Sequence, residues 1–260
     1  MKTISLAGKI IVVTGGTQGI GAAISLDAAR AGAAGVCICG RNADNGNQMV
    51  AALEKLGTKA FYLHGDLADV AATQSIMRDA ISRFGRIDGL VNAAGITDRG
   101  HIEDTSVELW DRMFAVNVRA PFVLTQALVR HLKTDQRPGS IVNIITRSSH
   151  GGQPFLTAYS SSKGALATLT KNNAHALRFA RIRVNGLNIG WADTPGEHAI
   201  QRRDGRPSDW LSTAEPLQPF GRLIKPEDVS FLAVYLLSDA AAMITGALVD
   251  FDQNVMGAYD

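Results

Sequence analysis

The 260-residue chain is poor in cysteine, with only Cys37 and Cys39. Both lie in the strand-like stretch "GVCICG", where alternation points them the same way among apolar neighbours. A disulfide framework needs more cysteines, and a metal site needs further Cys or His ligands at suitable spacing. None lies nearby, so both thiols are read as core residues of a protein kept in a reducing, cytoplasmic setting. Blocks of like charge are also absent, and the formal net charge is only +2. That excludes the electrostatic footprint of a nucleic-acid or anionic-membrane binder. Long apolar runs are missing too. The four-residue run in "KIIVVTGG" is far short of a signal-peptide core, and Phe231 to Leu237 stops at Ser238 and Asp239, which reads as a buried helix rather than a membrane span. No repeat, linker or low-complexity segment interrupts the chain. The partner these absences leave is a small molecule, with no metal.

What the chain does have is an ordinary globular balance, 46% apolar against 19% charged, enough to bury a sizeable core. Short apolar runs alternate with helical patterns, the signature of βαβ units and of a parallel sheet covered on both faces. Strands are expected at Ile10–Thr14, Gly35–Cys39, Ala60–His64, Gly89–Asn92, Ser140–Ile145, Arg183–Leu187 and Leu248–Phe251. The clearest helix is expected to start at Thr105, three residues before Glu108, and to run on through "LWDRMFAVNVRAPFVLTQALVRHL". Residues 191–219 show no clear period, and a loop of that length reads as a lid over a site. The expected fold is α/β, a Rossmann-type doubly wound sheet of seven parallel strands, with residues 1–260 as a single domain.

"VVTGGTQGIGAAI" follows the first strand and opens a helix whose apolar face is Ile20, Ile24, Ala28 and Ala31. Gly15 suits the tight turn, Gly19 a close approach to a pyrophosphate, and Gly21 close helix-to-sheet packing. About 20 residues further on, a dinucleotide site places an acid for NAD or an arginine for the extra phosphate of NADP. Here Gly40 and Arg41 stand at that place, and Asp44 reads as the cap of the next helix. Arg41 favours NADP over NAD.

Tyr159 and Lys163, in "YSSSK", share one helix face at i and i+4. Together with "TGGTQGIG" (Thr14 to Gly21), Asp66 after the third strand, "NAAG" (Asn92 to Gly95) and Asn117 inside a helix, they make the chain similar, over nearly its whole length, to the classical short-chain dehydrogenase/reductase family. The resemblance implies hydride transfer between a nicotinamide cofactor and a secondary alcohol or carbonyl. It implies Tyr159 as acid/base, Lys163 on the nicotinamide ribose, Asn117 supporting a proton-relay water, and Thr146 holding the substrate oxygen. Cofactor contacts are implied from Gly15, Thr17, Gln18, Gly19, Ile20 and Gly21, from Arg41, Asp66 and Leu67, from Asn92, Ala93 and Gly95, from Tyr159 and Lys163, and from Gly190 and Thr194. Lowering a phenol pKa of about 10 by roughly 3 units needs about 4 kcal/mol. One ammonium about 4 Å away supplies about that much at an effective dielectric near 20, so Lys163, helped by an oxidised nicotinamide's positive charge, is sufficient in size. The family also joins the helices around Pro121–Lys133 and Ala158–Phe179 across subunits, which implies a homotetramer.

Three departures from the family pattern stand out. Thr146 replaces the usual serine, with Ser148 as its rival, and threonine is the stiffer side chain. Ile189 replaces the usual proline before Gly190, which predicts a looser nicotinamide wall. Gln253 and Asn254 stand where two glycines are usual. A catalytically impaired cofactor-binding regulator on the same fold is therefore the alternative to an enzyme. An epimerase or dehydratase of the extended type would need a further substrate domain. The loops offer Arg147, His150 and Gln153 after Thr146, and Glu197, His198, Gln201, Arg202, Arg203 and Trp210 in the long segment. Polar lining of that kind predicts a polyhydroxylated substrate: a sugar, polyol or sugar acid.

Overall fold

The five residues of β1 (Ile10–Thr14) are all buried. Their alternation sends Ile11 and Val13 to one face of the sheet and Ile10 and Val12 to the other. The structure, a computed structural model, describes residues 4–258. Among them β1 is joined by β2 (Gly35–Gly40), β3 (Lys59–His64), β4 (Gly89–Asn92), β5 (Gly139–Thr146), β6 (Ile182–Ile189) and β7 (Leu248–Phe251). All pair in parallel, in the order β3-β2-β1-β4-β5-β6-β7. β5 and β6 run past the sequence expectation to Thr146 and Ile189, which face each other in register.

Helices cover both faces, so this is the doubly wound Rossmann-type fold expected. On one face Ile24 and Ala28 of α1 (Gly19–Arg30), Leu53 of α2 (Ala43–Lys55) and Val229 and Ala233 of α9 (Pro226–Leu237) pack on Ile11, Val13, Val36 and Ile38. On the other, α3 (Val70–Phe84), α5 (Ala120–Thr134) and α6 (Thr157–Leu177) bring Ile76, Leu124, Leu128 and Leu177 against Val12, Cys37, Cys39 and Leu90. Each fully buried aliphatic side chain contributes about 1.5–3 kcal/mol. Both thiols are buried and free, as read from the sequence.

The structure departs from the local sequence signals at three places. Asn42, not Asp44, caps α2, its side chain accepting from the Asn45 N–H at 2.9 Å, while Asp44 lies in the first turn. Ser106, not Thr105, caps α4 (Val107–Phe114), because the Thr105 hydroxyl donates instead to the His101 carbonyl at 2.6 Å. The long helix expected there is also not continuous: a π-helical turn, Ala115–Arg119, separates α4 from α5. Pro121, which has no N–H and crowds the preceding turn, sits at the start of α5 and accounts for the widening. Finally, residues 191–219 are not irregular. They contain α7 (Pro195–Arg203) and α8 (Trp210–Ala214). The start of α7 was written in the sequence as Thr194, Pro195 and Glu197, an N-cap followed by Pro and an acid in the first turn. Its stripe escaped notice because its one buried residue is polar, Gln201.

Candidate active site

A cavity of about 1070 Å³ lies at the C-terminal ends of the strands. It spans the point between β1 and β4 where the strand order reverses, the usual ligand crevice of such sheets. The glycine loop forms one wall. Gly15 has φ +64° and lies so close to Ala94 that an added Cβ would come within 2.9 Å of its Cα. A Cβ on Gly21 would meet the Gly15 carbonyl oxygen at 2.4 Å. Gln18, at the N-cap of α1, makes no side-chain capping bond, so the first N–H groups of α1 remain available to an anion. Thr14, which sequence reasoning placed only in the motif, locks the facing "NAAG" turn: its Oγ1 accepts from the Ala93 and Ala94 N–H groups, each at 3.1 Å.

Nearly all the catalytic and cofactor residues implied by the resemblance line this cavity: the loop Gly15 to Gly21 apart from Gly16, then Arg41, Asp66, Leu67, Ala93, Gly95, Thr146, Tyr159, Lys163, Gly190 and Thr194. Two do not. Asn92, expected at the cofactor, turns inward from the end of β4, where its register partner is Asn143. Its amide donates to Asn143 at 2.8 Å, and Asn143 in turn donates to Thr170 at 2.8 Å. Asn117 sits in the π-helical turn, fully buried behind Gly95. There it accepts from the Ile96 N–H and donates to the Ile96 carbonyl, both at 3.0 Å.

Tyr159 and Lys163 lie on the first two turns of α6. Lys163 is 4% exposed, and its ammonium donates to the Ile144 carbonyl at 2.8 Å. Burial pulls its pKa down to about 8. Burial likewise pushes the Tyr159 phenol up to about 12, opposed by a hydrogen bond with the Thr146 side chain and reinforced by the charge of Glu197. The sequence reading lowers the phenol by Lys163 helped by an oxidised nicotinamide's positive charge; burial acts in the opposite direction, so those charges have a larger shift to supply. Of the two rival hydroxyls, Thr146 at the end of β5 faces Tyr159, while Ser148 is buried off the cavity, 3.2 Å from Thr146 Oγ1.

The loops sort the expected polar residues by their partners. Arg147, Gln153, Glu197, Gln201 and Trp210 line the cavity. His150 instead meets Asp250 at 2.7 Å, His198 meets Asp193 at 2.7 Å and accepts from the Trp210 indole, and Arg203 pairs outward with Asp98 at 2.5 Å; Arg202 is exposed off the cavity. Sequence reasoning missed Arg99, which lines the cavity and pairs with Glu197 at 3.4 Å and Asp204 at 2.8 Å. No local pattern marks it, since its partners lie about a hundred positions away.

Ile189 and Gln253, two of the family departures, have a structural account. Ile189 is not a loose turn but the last residue of β6, 4% exposed and paired with Thr146 and Phe251. The next residue, Gly190, donates to the Phe251 carbonyl at 3.0 Å. Gln253 bridges to the segment after α8, accepting from the Phe220 N–H at 2.7 Å and donating to the Arg222 carbonyl at 2.6 Å. Asp252, side chain 4% exposed, pairs with Arg147 at 2.7 Å.

The residues present fit a dinucleotide. At Gly15 and Gly21 the cradle leaves no room for a side chain, the helix N-terminus is uncapped, and Arg41 is exposed at the end of β2 with no hydrogen-bonded acid among the described residues. Asp66, further along the same wall, is held low by the Ala68 N–H and by Arg112 at 3.3 Å. No described group of His, Cys, Asp and Glu is arranged to hold a metal.

This fold and cavity define an oxidoreductase of the dinucleotide-binding type. The chain belongs to the short chain dehydrogenase family, whose model matches residues 9–205. It is 33% identical over 247 residues to an NADP-dependent (R)-specific alcohol dehydrogenase of Lentilactobacillus kefiri, covering 94% of this chain and 95% of that one. It is 34% identical to a cyclopentanol dehydrogenase of a Comamonas species, covering 92% and 93%. A solved structure from Beutenbergia cavernae, described provisionally as an NAD(P)-dependent gluconate 5-dehydrogenase with NADP bound at low occupancy, superposes with a TM-score of 0.85 at 32% identity, covering 97% and 98%. The chain is thus an enzyme of the short-chain oxidoreductases.

Proposed function

We propose that the enzyme transfers a hydride between NADP, with NAD as the alternative, and a polyhydroxylated secondary alcohol or its ketone, a sugar, polyol or sugar acid. The observation that carries this is the convergence of Tyr159, Thr146 and Lys163 with an uncapped glycine loop on one cavity. The NADP-dependent alcohol dehydrogenase and the structure provisionally described as a gluconate 5-dehydrogenase support the cofactor and the substrate class respectively. A single domain, residues 1–260, would carry both cofactor and catalytic groups, with residues 191–219 closing over the substrate. Polar groups at the cavity mouth support an oxygen-rich substrate, because an apolar one would leave each unpaired at about 1–3 kcal/mol.

In this reading the Thr146 hydroxyl holds the substrate oxygen against Tyr159, which gives its proton to a carbonyl or takes one from an alcohol. The bound cofactor supplies or accepts the hydride. Lys163 has three donors and uses one on Ile144, leaving two for ribose hydroxyls. Asn117 supports the relay water from behind Gly95. Bringing a phenol from about 12 to near neutrality takes on the order of 7 kcal/mol. The Lys163 ammonium, and the positive charge an oxidised nicotinamide would bring, both act in this direction. Alcohol oxidation should therefore speed up with rising pH.

The test is to mix the enzyme with oxidised cofactor and a panel of alcohols and to follow the absorbance of reduced nicotinamide. Turnover is expected, and Tyr159→Phe should abolish it while the cofactor still binds. A protein that binds cofactor yet converts no alcohol or ketone would instead be the regulator. Arg41→Asp should weaken NADP far more than NAD, by removing a partner of the 2′-phosphate and adding repulsion. An unchanged ratio of the two catalytic efficiencies would make Arg41 a surface residue. We also infer a homotetramer in a cytoplasmic setting, supported by Phe122, exposed on α5, and by the two free thiols.

A further inference from the structure

Glu197 is the one carboxylate of the lid helix that lines the cavity, and its two oxygens are used unequally. Oε1 accepts from three donors: the Gln201 amide at 2.6 Å, the Trp191 indole at 2.9 Å and Arg99 at 3.4 Å. Oε2 accepts from none among the described residues. A carboxylate offers about four acceptor positions, so half of this group's capacity remains unused. Glu197 is also well held. Its backbone N–H donates to Thr194 Oγ1 at 3.1 Å, its side chain is only 16% exposed, and Arg99 is itself fixed by Asp204. A chain residue with a pre-oriented, unpartnered acceptor oxygen in a cavity that also holds Tyr159 is built to receive a hydrogen-bond donor from a ligand.

We propose that Glu197 Oε2 accepts a hydrogen bond from a second hydroxyl of the substrate, and that this selects a diol or polyol whose extra hydroxyl lies near the alcohol being oxidised. The assignment rests on the dehydrogenase reading above and narrows its substrate class. A carboxylate in place of that hydroxyl would meet the negative charge of Glu197, while Arg99, already paired twice, offers it little compensation. The group recognised at this position is therefore a neutral hydroxyl. Across the cavity the Gln153 side chain, also unpartnered among the described residues, can serve a further substrate oxygen.

The experiment compares catalytic efficiencies of the wild-type enzyme for cyclohexanol and for the cis and trans forms of 1,2- and 1,3-cyclohexanediol, and repeats the comparison in Glu197→Ala, Glu197→Gln and Arg99→Ala. Wild type should favour at least one diol over cyclohexanol by about 10-fold or more, the scale of one hydroxyl matched by a buried partner. In Glu197→Ala the efficiency for that diol should fall about 10- to 100-fold further than for cyclohexanol. Glu197→Gln, which keeps an acceptor oxygen without the charge, should retain part of the preference. Arg99→Ala removes the tie between the lid and residue 99 but leaves Oε2 in place, so it should keep the diol preference. A wild-type diol preference that persists in Glu197→Ala overturns the assignment, as does an equal fall for both substrate types. So does a collapse of the preference in Arg99→Ala equal to that in Glu197→Ala, which would give the effect to lid position. A wild type that converts no alcohol at all, or that favours cyclohexanol over every diol, would defeat the underlying reading of activity or of substrate class.

Discussion

At the scale of single residues, the site is governed by desolvation. Tyr159 and Lys163 are each driven toward their neutral forms by burial, the phenol up to about 12 and the ammonium down to about 8. Two groups displaced in opposite directions can be brought back together by added charge or hydrogen bonds, which is how an acid/base near neutral pH is assembled. Thr146 contributes one such bond. Its methyl group is accommodated because the residue closes β5 in register with Ile189, where a β-branched side chain suits the extended backbone. Thr146→Ser should keep most activity, and Thr146→Ala should lose at least about 10²-fold in turnover, the scale of a positioned hydrogen-bond donor. Steady-state rates of the two variants check this, and near-normal rates in Thr146→Ala would transfer the role to Ser148, 3.2 Å away.

Among the elements, the turn from β1 into α1 is the most constrained by packing. Gly21 lies against the Gly15 carbonyl, so a methyl group there must push helix and turn apart. Gly21→Ala should lower the melting temperature by several degrees, on the scale of about 1–3 kcal/mol for overpacking, and weaken cofactor binding with it. Gly151→Ala, where an added Cβ meets nothing within 4 Å, should leave the melting temperature nearly unchanged. Thermal denaturation of the two variants separates these outcomes, and equal melting temperatures would deny the close contact. The segment 191–219 is constrained differently, through ion pairs and hydrogen bonds. α7 is tied to residues 98–99 by Arg203–Asp98 and by Arg99 with Glu197 and Asp204, and Lys225 at the cap of α9 holds Asp193 and Glu215, each at 2.8 Å.

Across the whole molecule, large apolar side chains remain outside the two cores. Phe122 is 45% exposed and lies with Phe114, Val118 and Leu169 along a shallow groove between the π-helical region and α6. Phe231 on α9 and Met243 beyond it are 64% and 95% exposed on the opposite side of the sheet. Two separate apolar faces would allow two different symmetric contacts, the arrangement that the proposed tetramer needs. Light scattering should give four times the mass of the chain, and a monomeric mass would defeat that expectation.

The sequence by itself determined the sheet and the cofactor cradle. Their signals are local: apolar runs of strand length, glycines at fixed spacing before an amphipathic helix, and Tyr159 four residues before Lys163 on one turn of α6. Strand positions were read to within one or two residues because burial on both faces demands unbroken apolar runs. Ends and caps were less legible, since Thr105 and Ser106, or Asn42 and Asp44, compete for one role and the winner depends on what else each hydroxyl or carboxyl can reach. The tertiary structure alone decided which polar side chains line the cavity. Glu197 and His198 are neighbours in sequence, yet one lines the cavity and the other turns to Asp193, and Arg99 meets its partners only because the sheet carries two distant segments to the same rim. A side chain's direction on a short helix is set by long-range partners, and no local period encodes them.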